Sequence, residues 1–223
     1  MDGLNQLWAV VTEAPVAEAK TFATGVEFAQ AYIEESISIL RSLDAGEIDA
    51  MAAALATVRA QGGRLFILGV GGSAAHASHA VNDFRKICGF EAYAPSDNVS
   101  ELTARTNDEG WESCFSAWLE GSRIRPTDAL LVFSVGGGDR DKNVSVNIVR
   151  AIEAGQRAGA EIFGIVGRNG GFTRQASRHC IVIPPVSAER VTPHTEGMCA
   201  VVWHLLVSHP ALKTQMTKWE MVK

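Results

Sequence analysis

Two stretches of this chain have the composition of an anion cradle. Leu68-Gly69-Val70-Gly71-Gly72-Ser73 opens directly into a segment suited to a helix, and Phe133-Ser134-Val135-Gly136-Gly137-Gly138-Asp139 precedes another. Glycines let backbone N–H groups close on an anion, a helix N-terminus adds its dipole, and Ser73 supplies a hydroxyl donor. The alternative is that these glycines only make tight strand-to-helix turns. Two such loops, one with three consecutive glycines, favour phosphate. Neither is a Walker loop, because no Gly-Lys-Ser/Thr follows. The GxGxxG dinucleotide spacing also fails, since Ala74 stands where the last glycine would be.

Beyond the first loop, His79 and Asp83 are four residues apart, so on a helix their side chains share a face. His76 precedes His79 by one turn and faces either the same cleft or solvent. His204 sits among Val201, Val202, Trp203, Leu205 and Leu206 and by itself reads as a core histidine. His194 and His209 flank the terminal helix and read as surface or capping residues. Asp97 and Glu101, after the second strand-like run, either bond sugar hydroxyls or cap the next helix.

These residues need elements to hold them. Val26, Ala29, Ile33, Ile37 and Leu40 step by three or four, predicting a helix over 24–43 with one apolar face. Asp44 with Glu47 resembles a capping signal for a second helix, striped by Ile48, Met51, Leu55 and Val58. Strand-length apolar runs follow at 64–68, 91–94, 129–133, 161–166 and 179–183, with helical segments at 74–88 and 144–158 between them. This alternation predicts a parallel sheet covered on both faces: one α/β, three-layer αβα domain over 61–223 with a helical extension over 1–60. A last helix is expected from Thr192 as cap, with Pro193 in its first turn, to about residue 207. In such a sheet, ligands collect at the carboxyl ends of the strands.

The bulk numbers exclude several classes. The chain has 223 residues, 47% hydrophobic and 20% charged, with a net charge of −5 that argues against nucleic acid as a partner. Four scattered cysteines read as buried thiols in a reducing compartment. The N-terminus has no signal-peptide pattern and no apolar run is long enough to cross a bilayer, so the expected location is the cytoplasm.

Residues 69–83 (GVGGSAAHASHAVND) resemble the G-N-G-G-S-x5-H-x3-E stretch of the sugar isomerase (SIS) domain of bacterial phosphoheptose isomerases. The resemblance continues through 102–108 (LTARTND), 143–154 (NVSVNIVRAIEA), 164–171 (GIVGRNGG) and the helix holding Glu196 and His204. It implies a five-stranded flavodoxin-like sheet, a homotetramer with sites between subunits, and conversion of sedoheptulose 7-phosphate to D-glycero-D-manno-heptose 7-phosphate. Some members hold zinc. Carried over by position, Asp83 is the base moving a proton between C1 and C2, and His204 the partner acting on the oxygens. His79, Asp83, Glu196 and His204 form the metal set, although eight helical residues between Glu196 and His204 rise about 12 Å. Gly71, Gly72, Ser73, Asp97, Ser134, Gly136, Gly137 and Glu196 are the substrate-binding candidates.

This chain departs from the pattern in three places. The family's second loop, S-T-S-G-N-S, is Ser134–Asp139 here; the first-loop asparagine is Val70; the glutamate is Asp83. Asp139 brings negative charge, which Arg140 or Lys142 would offset, so anion binding is expected at 71–73 more than at 136–139. The eroded loop also keeps open a non-catalytic SIS reading, as a sugar-phosphate sensor or an adaptor binding the DnaA replication initiator. An adaptor has no need of the histidines and carboxylate.

Overall fold

The computed structural model describes residues 21–216. Its architecture follows from where the strand-like runs can be buried. Five short strands, β1 (Leu65–Leu68), β2 (Ala92–Tyr93), β3 (Ala129–Ser134), β4 (Glu161–Gly167) and β5 (His179–Ile183), form one parallel sheet in the order β2-β1-β3-β4-β5. This is the doubly wound, flavodoxin-like order, with helices on both faces.

Strand alternation divides the core in two. Leu65, Ile67, Leu131, Phe133 and Ile165 face one side, where they pack with α2 (Ala45–Ala60), α3 (Gly72–Lys86) and α8 (Val191–Ser208). Phe66, Leu68, Leu130, Val132 and Ile162 face the other, under α5 (Cys114–Gly121) and α6 (Val146–Ala158). Two further helices, α4 (Val99–Glu109) and α7 (Gly171–Ala176), complete the connections.

The two N-terminal helices behave differently. α2 starts as expected, with Asp44 accepting from the N–H groups of Gly46 and Glu47, and its Met51, Ala52 and Leu55 are wholly buried with the strands. α1 (Gly25–Ser42) is capped by Thr24, which accepts from Glu27 N–H. Its expected stripe is not covered within one chain: Val26 is 67% and Ile33 56% exposed. Residues 1–20 of the expected extension lie outside the described residues.

Two expectations need correcting. Thr192 does not cap the last helix: a 3₁₀ turn at Ala188–Arg190 leads straight into α8, so Thr192 and Pro193 both lie in its first turn. There Pro193 lacks an N–H that would have had no helical partner. His194 is not a surface residue. It is buried, with Nε2 2.8 Å from Glu35 Oε2 and its ring stacked on Tyr32. Arg190 grips the same Glu35 with two bonds of 2.8 and 2.9 Å, pinning α1 to the start of α8. That guanidinium, with the His194 imidazole, holds the Glu35 carboxyl down at about 2 against the opposing effect of burial.

Candidate active site

The first glycine loop joins β1 to α3, and each glycine has its own reason. Gly71 has φ of 62°, open to glycine. A Cβ on Gly69 would stand 2.3 Å from the Ser73 carbonyl oxygen, so the turn closes only without one. At Gly72 a Cβ would meet both carboxylate oxygens of Glu196 at 2.6 Å. The carboxylate of Glu196, reaching across from α8, therefore lies flat against the start of α3.

About two and three turns further along α3 stand His79 and Asp83, and α8 brings His204 to them. Asp83 Oδ2 lies 3.8 Å from His79 Nε2 and 3.9 Å from His204 Nε2, and the Asp83 side chain is 1% exposed. Its Oδ1 accepts a bond of 2.9 Å from the Asn82 amide. Its Oδ2 is buried and has no hydrogen-bond partner. A buried carboxylate oxygen left unpaired is costly and calls for a ligand or a function. His204 Nδ1 is 2.7 Å from the Ala200 carbonyl oxygen, which only accepts, so in the neutral ring that nitrogen carries the proton and Nε2 turns a lone pair to the cluster. The ring is stacked on Trp203 at 3.5 Å, which fixes its plane.

The donor atoms of His79, Asp83 and His204 lie within 4.8 Å of one another. Tetrahedral zinc with nitrogen and oxygen ligands holds donors about 3.4 Å apart, so closing on an ion needs only a small contraction. Glu196 is not part of this set. α8 is regular from Val191, Glu196 lies two turns before His204, and its carboxylate is at Gly72. His76 faces the cleft: burial pushes its imidazole below the usual value, opposed by Glu196 and reinforced by His79 and His204.

The second loop leaves β3 and is tied down elsewhere. Gly137 and Gly138 have φ of 72° and 78°, and a Cβ on Gly137 would stand 1.9 Å from the Gly170 carbonyl oxygen. The Gly137 carbonyl accepts from Thr173 N–H and hydroxyl, and that of Gly138 from Phe172 N–H. Two of the three consecutive glycines thus answer to packing against the turn before α7. Gly136 alone of the three has nothing within 4 Å of where a Cβ would stand. Ser134 Oγ accepts from Gly137 N–H at 3.0 Å, which leaves its hydroxyl hydrogen to donate.

The charge argument for preferring the first loop as the anion site changes here. A carboxylate occupies its mouth, and Asp139 is spent on its own loop, accepting from the N–H groups of Asp141 and Lys142 and pairing with Lys142 Nζ at 3.6 Å. Arg140 offsets nothing at Asp139; it pairs with Glu153 and lies over the Phe172 ring. One residue went unnoticed in the sequence. Ser145 precedes α6 in the left-handed conformation (φ 50°) with no side-chain cap bond, so its hydroxyl stands at the N-terminus of a 13-residue helix. The signal was a serine immediately before an apolar-periodic run.

Asp97 and Glu101 lie apart from the cluster. Asp97 ends a 3₁₀ turn after β2 and lines a cleft with Arg64, Phe66, Tyr93 and Trp118, towards the α5 face of the sheet. Glu101 is paired with Arg105 at 2.9 Å.

A glycine loop into α3, a histidine–carboxylate pair two and three turns along it, and a histidine from the terminal helix form one constellation on one sheet. The SIS domain family model matches residues 30–167, more than half of the chain. The chain belongs to the SIS domain family. Within it, phosphoheptose isomerase of Rhodospirillum rubrum is 33% identical over 68% of this chain and 77% of its own length. The lincomycin biosynthesis protein LmbN of Streptomyces lincolnensis is 30% identical over 92% of this chain and 82% of its own. Among solved structures, phosphoheptose isomerase GmhA from Neisseria gonorrhoeae superposes with a TM-score of 0.71 at 24% identity, covering 83% of this chain and 97% of that one. The last likeness is one of fold. Among the described residues, no helix is long and apolar enough to cross a membrane.

Proposed function

We propose that this SIS protein is a phosphosugar isomerase that interconverts sedoheptulose 7-phosphate and D-glycero-D-manno-heptose 7-phosphate, or a closely related pair. The observation that carries the reading is Asp83 Oδ2: buried, without a partner, and faced by two imidazole nitrogens. Named relatives that are phosphoheptose isomerases support the substrate class. LmbN, whose name places it in another pathway, covers more of the chain and leaves the sugar itself a matter for experiment.

The chemistry needs two proton movements. Asp83 takes a hydrogen from C1 of the ketose as a proton and returns it to C2 of the enediol. Meanwhile the O1 hydroxyl proton must leave and a proton must reach O2. His204 suits that task, because its Nδ1–H is committed to Ala200 and its Nε2 can accept from O1 and donate to O2. Glu196, held against the start of α3, is placed to bind a sugar hydroxyl. Ser134 and Ser145 offer hydroxyls to the phosphate at the second loop.

The orphaned Oδ2 and the lone pair of His204 fit a divalent ion. His79, Asp83 and His204 would hold zinc, which would occupy the His204 Nε2 lone pair and, when bound, polarise the substrate oxygens in place of proton transfer by that ring. The exposed apolar residues of α1 support a homotetramer in which this helix packs between subunits. A reducing cytoplasm suits the four free thiols, and net charge gives no reason to expect nucleic acid. The test is a crystal soaked with zinc and sedoheptulose 7-phosphate. Anomalous signal between His79, Asp83 and His204, with the phosphate at the second loop, is expected; sugar bound away from Asp83 refutes the reading.

A further inference from the structure

The turn that leaves β4 is wedged into the site. A Cβ on Gly167 would lie 2.8 Å from the Val135 carbonyl oxygen and 2.3 Å from Thr195 Oγ1. Residue 168 therefore departs between the second glycine loop and the start of α8, where Glu196 follows Thr195. That residue is an exposed arginine with φ of 52°.

An arginine is a poor choice for that backbone. The left-handed region crowds a Cβ, and glycine or asparagine sits there at lower cost. The chain places glycine at 170 and 171, which have φ of 86° and 52°, yet keeps arginine at 168. The turn does not need it, since Asn169 Oδ1 closes the turn by accepting from Gly171 N–H at 3.1 Å. Strain retained without a structural return points to a use for the side chain.

Charge accounting names that use. The loops after β3 and β4 carry Arg140, Lys142 and Arg168. Arg140 is paired with Glu153 and Lys142 with Asp139. Among the described residues, the Arg168 side chain has neither an anionic partner nor a hydrogen bond. The neighbouring loop offers the hydroxyls of Ser134 and Ser145 and the open face of Gly136, but no free positive charge to meet a phosphate dianion.

We propose that Arg168 supplies the positive charge that binds the substrate's phosphate at the second glycine loop, and so selects phosphorylated sugars. The proposal rests on the phosphosugar reading above and adds the residue that recognises the anion. A guanidinium can engage two phosphate oxygens at once, a contact lysine reproduces only as a point charge.

The test uses the full chain with R168A, R168K and R168G, and inorganic phosphate as the probe by calorimetry, alongside turnover of the phosphosugar. R168A is expected to weaken phosphate binding about tenfold or more and to raise KM by a similar factor, with kcat changed by no more than about threefold. R168K recovers part of the affinity. R168G loses phosphate binding while its Tm holds or rises, because glycine relieves the backbone. Phosphate affinity unchanged in R168A, or no phosphate binding by the wild type, overturns the assignment. A lower Tm in R168G with phosphate affinity kept gives the arginine to the turn instead. The arms separate the two ideas: a wild type that binds phosphate through Arg168 but isomerises no phosphosugar keeps this inference and removes the isomerase reading.

Discussion

Gly72→Ala separates the function of the first loop from its stability. The new Cβ would lie 2.6 Å from both carboxylate oxygens of Glu196. Ordinary contact is about 3.5 Å, so the carboxylate must retreat by roughly 1 Å. The carboxylate is the far end of a flexible side chain, so this movement costs little folding energy. Gly72 is the first residue of α3 with ordinary helical backbone, where alanine is preferred by up to about 1 kcal/mol. Tm should therefore hold or rise. A hydrogen bond that the Glu196 carboxylate accepts from a sugar hydroxyl, moved by 1 Å, is broken. Losing a bond to a charged acceptor costs about 1.5–3 kcal/mol, or roughly 10- to 150-fold in kcat/KM. Steady-state isomerisation with Gly72→Ala, Glu196→Ala and the double variant reads this directly. The double variant should be scarcely worse than Glu196→Ala alone, since both remove one contact. Fully additive losses would refute the placement of Glu196 against the loop.

Other outcomes follow from the same structure. Gly137→Ala combines φ of 72° with a Cβ 1.9 Å from the Gly170 carbonyl oxygen, so it should destabilise the fold by about 3 kcal/mol or more by denaturant titration. Glu35, held at about 2 against an ordinary 4.5, stabilises the fold fully above pH 4.5, and that contribution fades as pH falls towards 2. The Tm gap between wild type and Glu35→Gln should therefore be constant near neutrality and shrink in acid; a gap that widens in acid contradicts the pairing. Ile33→Glu, on the exposed face of α1, should shift light scattering from a tetramer to smaller species, and a wild-type monomer at micromolar concentration would end the assembly proposal.

How much of this was legible in the sequence depends on the range of the contact. The five strands and the helices holding the site showed in apolar periodicity, because each run is buried on both faces or along one stripe. His79 and Asp83 were readable as a pair because they are four residues apart. His194 was misjudged because its partner, Glu35, lies on α1 in a distant part of the chain. The three glycines at 136–138 favoured phosphate over a tight turn, while Gly137 also serves a close approach to Gly170, and Gly138 one to Val149 on α6, that no local pattern records. Glu196 stands outside the His79, Asp83 and His204 cluster, a separation that the helix rise already implied. Helices α4, α5 and α7 went unassigned; α4 buries no residue fully and α7 spans only 6 residues, leaving little periodic signal.

The central claim is that Asp83 and His204 move protons on a phosphosugar. Exchange of the C1 or C2 hydrogen of sedoheptulose 7-phosphate with solvent deuterium, followed by NMR with divalent metal supplied, tests it most directly. Wild-type protein should exchange, and Asp83→Asn and His204→Ala should each slow exchange by about 10²-fold or more with the fold intact; the double variant should be scarcely slower than the worse single one. Exchange that survives both substitutions, or no exchange by the wild type with any phosphosugar, would contradict the account.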